Sequence, residues 1–133
     1  MPTDRTPEQW AEFCAGVMGW TPVGDGLFLD HSNGTRTIYR TTDPGKCYWS
    51  PWNNPADALE VLERMATIMS ERNRTDPEKV EISLYSHERD LWGACLEFEA
   101  DWVVWAEAPG PHFGPAVCGL AGKIIGDKHA QDK

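Results

Sequence analysis

The chain has 133 residues, 41% hydrophobic and 25% charged, with 12 Lys and Arg set against 21 Asp and Glu for a net charge of −9. That length suits one domain that buries roughly two thirds of its unfolded surface and folds without a metal or a disulfide, so no cofactor is expected. The acidic balance repels a phosphate backbone and argues against bulk DNA or RNA binding, and no apolar run approaches the roughly 18 residues of a membrane span.

Met1 to Arg5 carries no apolar signal region, which suggests a cytosolic chain. Thr6-Pro7-Glu8-Gln9 forms a capping box with proline at the first helical position. Trp10, Phe13, Cys14, Val17 and Met18 then recur at helical spacing, predicting a first helix that runs to Met18 and is closed by Gly19. Leu27 to Asp30 and Thr35 to Thr41 read as short extended runs joined into a hairpin through His31-Ser32-Asn33-Gly34. Thr42-Asp43-Pro44-Gly45 is a turn, and the loop from Cys47 to Asn54 holds Tyr48, Trp49 and Trp52. Asn54 can cap a second helix with Pro55 at its first position, and Leu59, Leu62, Met65, Ala66 and Met69 give it one apolar stripe as far as Arg72.

Ser70 to Lys79 is charged, ends in Asp76-Pro77 and suits an exposed connector. Strands follow: Val80 to Leu84 alternates, Trp92 to Phe98 alternates, and Trp102 to Ala106 is a third extended run. The short turn around Asp101 fits a meander or a bulged continuation, and the meander is favoured. The Pro- and Gly-rich stretch Pro109 to Pro115 leads into a last helix, where Val117, Leu120, Ala121, Ile124 and Ile125 keep helical period until Gly126. Residues 1–126 thus form one domain, with a frayed tail from Asp127 to Lys133. The order α-β-β-α-β-β-β-α predicts an α+β protein, an αβα layered sandwich around a mainly antiparallel sheet whose two faces are both covered.

Thr6-Pro7-Glu8-Gln9-Trp10 with Met18-Gly19-Trp20, then Trp49-Ser50-Pro51 and a helix opening Ala56-Asp57-Ala58, resembles the phage ABA sandwich domain of small bacteriophage proteins. Ala106-Glu107-Ala108-Pro109 followed by Pro115-Ala116-Val117-Cys118-Gly119-Leu120-Ala121 looks like that family's closing segment. The likeness covers nearly the whole chain, and departs from the family in the inserted Gly110-Pro111-His112-Phe113-Gly114 and in Gly119, where the family prefers alanine. The resemblance implies an αβα layered domain of phage origin, working in the cytoplasm of an infected bacterium, and brings no catalytic residues with it.

Four cysteines, Cys14, Cys47, Cys95 and Cys118, lie too far apart for a C-x-x-C site and read as reduced, packed thiols. His31, His87, His112 and His129 show no ligand spacing, and His87-Glu88-Arg89-Asp90 reads as a solvated turn rather than an acid-base site. No catalytic motif occurs, so no enzyme activity is expected. Seven tryptophans are too many for a deep core, and some should line a groove or an interface.

The aromatic loop is the leading candidate site. Arg36 and Arg40 share a face of the second hairpin strand, and Lys46 precedes Tyr48. Trp49 or Trp52 would stack a base, an arginine would pair a phosphate, and the Asn54-capped helix would offer the amides of Ala56 and Asp57 to the same anion. Arg36, Arg40, Lys46, Tyr48, Trp49, Trp52 and Asn54 would therefore hold a small nucleotide-type ligand such as an immune second messenger, sequestered to counter host defence. The alternative is that the tryptophans staple the loop to the sheet while the arginines balance acidic surface. A different class of function comes from Glu97, Glu99, Asp101 and Glu107, whose acidic face would mimic nucleic acid or dock on a basic host protein. Trp10, Phe13 and Trp20 offer a homodimer contact instead of entering the core.

Overall fold

Thr6 starts the first helix, α1 (Pro7–Val17), through a complete capping box: the Gln9 amide donates to the Thr6 hydroxyl at 3.1 Å and the Thr6 amide to Gln9 Oε1 at 2.8 Å. A computed structural model of the protein describes residues 6–24, 26–32, 34–38, 49–99 and 102–126. Three helices and two antiparallel three-stranded sheets make a layered α+β sandwich, as the sequence pattern implies.

The first sheet contains a strand that the sequence does not announce. β1 (Thr21–Gly24) pairs with β2 (Leu27–Asp30), which pairs in turn with β3 (Gly34–Thr37), so the expected hairpin becomes a three-stranded meander. β1 is four residues long, exposed throughout and bulged between Pro22 and Gly24, so it has neither the length nor the alternation that would mark it. Its proline sits on an edge strand, the place in a sheet where proline is tolerated. Beyond β3, Ile38 bridges to Trp49 in parallel, while Tyr39 to Tyr48 lie outside the described residues.

Helix α2 (Pro55–Arg72) begins where Asn54 accepts a hydrogen bond from the Ala56 amide at 3.0 Å. Its buried stripe is Ala58, Val61, Leu62, Met65, Ala66 and Met69, with Leu59 exposed, so the inward face enters through Ala58 and Val61 in place of the expected Leu59. Ser70 is also buried, because its hydroxyl bonds back to the Thr67 carbonyl at 2.8 Å. The connector ends in a single 3-10 turn, Pro77–Lys79, capped by Asp76.

The second sheet is the meander expected around Asp101: β4 (Glu81–Glu88), β5 (Leu91–Phe98) and β6 (Trp102–Pro109) pair antiparallel in that order. β4 starts a residue late and runs past Leu84, and β6 runs past Ala106 to pair Pro109 with Leu91. Helix α3 (Gly114–Ala121) packs on β6 and β5 and against α2, and is buried at every position except Gly119. It continues into a π turn, Gly122–Gly126, whose Ile124 carbonyl receives Arg72 Nη1 at 2.8 Å.

Register sorts the second sheet into two faces. Leu84, Ala94 and Ala106 lie opposite one another and face the helices, as do Leu96 and Val104 on the row beside them. The other face carries Glu81, Glu97 and Val103 in one row, Ser83, Cys95 and Trp105 in the next, and Tyr85, Gly93 and Glu107 in the third. On this second face Val103 is 52% exposed and Trp105 48%. Helix α3 packs on β5 and β6 and α2 on β4, where Leu84, Ala94, Leu96 and Ala106 join the core.

The tryptophans divide accordingly. Trp10, Trp20 and Trp49 are buried, Trp52, Trp92 and Trp102 pack against the core, and Trp105 stands in solvent. Trp10 and Trp20 are thus core residues instead of a dimer surface: Trp10 stacks on Trp52 with centroids 6.2 Å apart, and Trp20 meets Trp49 at 4.6 Å. No described helix is long and apolar enough to cross a membrane.

Candidate functional site

The aromatic loop is built as a joint between the two halves of the fold. The Trp49 amide donates to the Thr37 carbonyl at 3.0 Å, which ties the loop to the first sheet, and the indole Nε1 donates to Glu60 Oε1 on α2 at 3.2 Å. With its ring 5% exposed and its one donor used, Trp49 presents no face for stacking a base. Trp52 is half-buried against Trp10.

Ser50 organises the next step. Its hydroxyl accepts from the amide and side chain of Asn53 at 3.3 and 3.2 Å, and its own amide donates to Asp57 Oδ2 at 2.8 Å. Burial pushes the Asp57 carboxyl above its ordinary value, against the pull of the Ser50 amide, and the nearby Glu60 adds to the rise.

Residues inserted before α3 complete the joint. The Gly114 amide donates to His112 Nδ1 at 3.0 Å, so the proton sits on Nε2, which donates to the Asn53 carbonyl at 3.1 Å. Gly114 itself is pressed into the loop: a Cβ there would lie 2.5 Å from the Pro51 carbonyl oxygen and 2.8 Å from that of Trp52. The segment from Gly110 to Gly114 is therefore packed against the aromatic loop.

Arg36 is held inside an acidic pair. Its Nη2 lies 3.2 Å from Asp30 Oδ2 and 3.4 Å from Glu60 Oε2, while its guanidinium carbon stands 4.9 Å over the Trp20 ring. Asp30 is buried, and its other oxygen accepts the Ser32 amide at 2.9 Å. Asn54 spends its side chain on the helix cap. Of the seven residues singled out in the sequence, Arg36, Trp49 and Asn54 thus meet protein partners and Trp52 packs on Trp10, while Arg40, Lys46 and Tyr48 lie outside the described residues.

The open face of the second sheet has a different character. Gly93 lets the Tyr85 ring lie directly across the middle strand, in contact with the place a Cβ would take, and brings the phenol to the Glu107 carboxylate on β6, with which it shares a hydrogen bond. Desolvation, followed by the charge of Glu107, raises the Tyr85 phenol, which stays protonated as the donor. Ser83 and Cys95 form a floor of small side chains next to Trp105. Desolvation, and then the charge of Glu97, push the Cys95 thiol above its ordinary value. Lys123 reaches this face from the π turn: its Nζ donates to the Trp105 carbonyl at 2.8 Å and stands 5.0 Å over the Trp105 ring.

Neither the known protein families nor the curated proteins include a match to this chain. Its chemistry must be read from its own residues. Among those described, no three His, Cys, Asp or Glu side chains converge as a metal site. The acidic residues read from the sequence do not act as one group: Glu97 and Glu107 lie on the open face, Glu99 is in the turn after β5 with φ +48°, and Asp101 is outside the described residues. Sequence reasoning missed Trp105 and Tyr85. The signal was present, because Trp105 has the same strand parity as Glu107, and a strand residue in step with an acid faces the wet side.

Proposed function

We propose that this protein is a non-enzymatic binding protein whose working surface is the open face of the β4–β6 sheet, and that its partner is a basic protein segment. The observation that carries this reading is the exposed pair Val103 and Trp105, neighbours on one strand at 52% and 48% exposure, set among Glu81, Glu97 and Glu107. An exposed tryptophan beside an exposed valine on a flat sheet is the kind of anchor that protein interfaces bury, and the acids select the sign of what arrives. Lys123 already shows the chemistry a partner would use, a lysine ammonium over the Trp105 ring. A second copy of the chain fits the face poorly, because pairing it with itself brings these glutamates together on two molecules that each carry −9. With the resemblance to phage domains, the partner would be a protein of the infected host and the outcome its inhibition.

Affinity capture from host lysate tests this with wild-type protein, Trp105→Ser and Glu97→Lys. A basic protein retained by the wild type, released at roughly 0.5 M salt and lost from both variants is the expected result. Capture that is indifferent to salt and to both substitutions would refute it.

The nucleotide-sequestering reading rests on Arg36, Arg40, Lys46, Tyr48, Trp49, Trp52 and Asn54 acting together, and it has less support. A phosphate reaching Arg36 must displace Asp30 and Glu60, and a base must compete with Trp10 for Trp52. Calorimetry against cyclic and linear nucleotides tests it, and heats that vanish in Trp52→Ala and Arg36→Met would restore it to first place.

A further inference from the structure

Away from both surfaces, α1, α2 and the π turn border an open groove of about 500 Å³, lined by Glu12, Phe13, Val17, Arg64, Ile68 and Ile125. Its volume lies within the roughly 300–1,000 Å³ of small-molecule sites. Two glycines keep it open. Gly16 faces it from α1, and a methyl group added there would have no atom within 4 Å; Gly19, at φ +80°, would place only Arg64 Nη2 near such a group, at 3.8 Å.

Arg64 is the chemical marker. Its Nε donates to the Val17 carbonyl at 3.3 Å, which ties the exposed side chain to the end of α1 beside the groove. Among the described residues no carboxylate lies within ion-pairing distance of it, in contrast to Arg36, which is held by two. The walls beside it are apolar: Phe13, Ile68 and Ile125 are only partly buried and pack at the margin of the core. Ile125 belongs to the π turn, a widened helical turn of a kind found often at functional sites, and Arg72 holds that turn in place through the Ile124 carbonyl.

We infer that this groove binds a small monocarboxylate with an apolar body, its head group on Arg64 and its chain along Phe13, Val17, Ile68 and Ile125. An arginine fork suits a carboxylate, and aliphatic and aromatic walls suit a hydrocarbon. Glu12 at the same groove disfavours a doubly charged phosphate head. This site is independent of the sheet face and of the aromatic loop.

Titration calorimetry with sodium octanoate, and with 1-octanol as its neutral counterpart, tests the inference on the full chain. Wild-type protein should bind octanoate saturably with a Kd below about 1 mM. Arg64→Gln should weaken octanoate at least about tenfold and leave octanol within about twofold, which a loss of fold would not do. Gly16→Leu places a side chain in the space that is open in the wild type, and should abolish binding of both while circular dichroism stays unchanged. Absence of saturable octanoate binding by the wild type, equal octanoate affinity in Arg64→Gln, or undiminished binding in Gly16→Leu would each overturn it.

Discussion

Gly114→Ala puts the joint between the aromatic loop and α3 under direct strain. An added methyl would stand 2.5 Å from the Pro51 oxygen, 2.8 Å from the Trp52 oxygen and 2.7 Å from His112 Cε1, and two of those three neighbours are backbone. Backbone cannot rotate away, so the loop must recede, which stretches the His112 bonds to Asn53 and Gly114 that are now 3.1 and 3.0 Å long. Overpacking of this kind costs about 1–3 kcal/mol, and weakening the two hydrogen bonds adds about 1 kcal/mol. Alanine returns at most about 1 kcal/mol through its helix propensity. The net loss should be about 2–3 kcal/mol, or a fall in Tm of roughly 6–15 °C for a domain of this size. Urea unfolding followed by tryptophan fluorescence measures it, with Gly16→Ala as the control. Gly16 lies in a helix with open space around it, so the same substitution there should stabilise by about 0.5–1 kcal/mol. A Gly114→Ala protein within about 0.5 kcal/mol of wild type would refute the close approach of loop and helix.

Two further outcomes follow from the same region. Asp57 has its carboxyl raised by burial, so the folded chain holds that proton to a higher pH than the unfolded chain does; the stability linked to it is fully present below the ordinary value of 3.8 and is lost as pH rises through the raised one. Asp57→Asn keeps an acceptor for the Ser50 amide and removes that loss, so its stability relative to wild type should be greater at pH 7 than at pH 3.5; urea unfolding at both pH values showing a constant difference would count against the assignment. Trp49→Phe should cost about 1–3 kcal/mol, because it empties part of a buried site and removes the indole donor to Glu60. Thermal unfolding that is unchanged in Trp49→Phe would show that the ring is free, as a base-stacking role requires.

Local signals carried the helices. The Thr6 capping box, the Asn54-Pro55 start and the apolar stripe of α2 all depend on residues within a few positions of one another; both helix starts appear where the sequence puts them, and the stripe does so except at Leu59, which is exposed while Ala58 and Val61 are buried. β1 escaped notice because a four-residue exposed strand with a proline has no pattern of its own and exists through its partner. The aromatic loop was legible as an unusual composition, whereas the partners that decide its character are remote in sequence. Glu60 comes to Trp49 from the second turn of α2, Asp30 and Glu60 come to Arg36 from separate elements, and His112 comes to Asn53 from 59 residues away. A single sequence names the groups and leaves such pairings unseen. The open face was hidden for the complementary reason. Alternation told which residues of β5 and β6 share a side, and only the position of α3 tells which side is wet.

Trp105 is exposed on a sheet whose last strand carries it, and bare strand edges beside such a residue are where copies of a chain stick to one another. The Lys123 side chain, bonded to the Trp105 carbonyl and resting over the Trp105 ring, lies at β6, the last strand of its sheet. It places a strongly hydrated positive charge where a foreign strand would seek its first hydrogen bond. A lysine at such a place is one of the ways in which sheet edges are blunted against pairing with a foreign strand, and a single flexible side chain carries it.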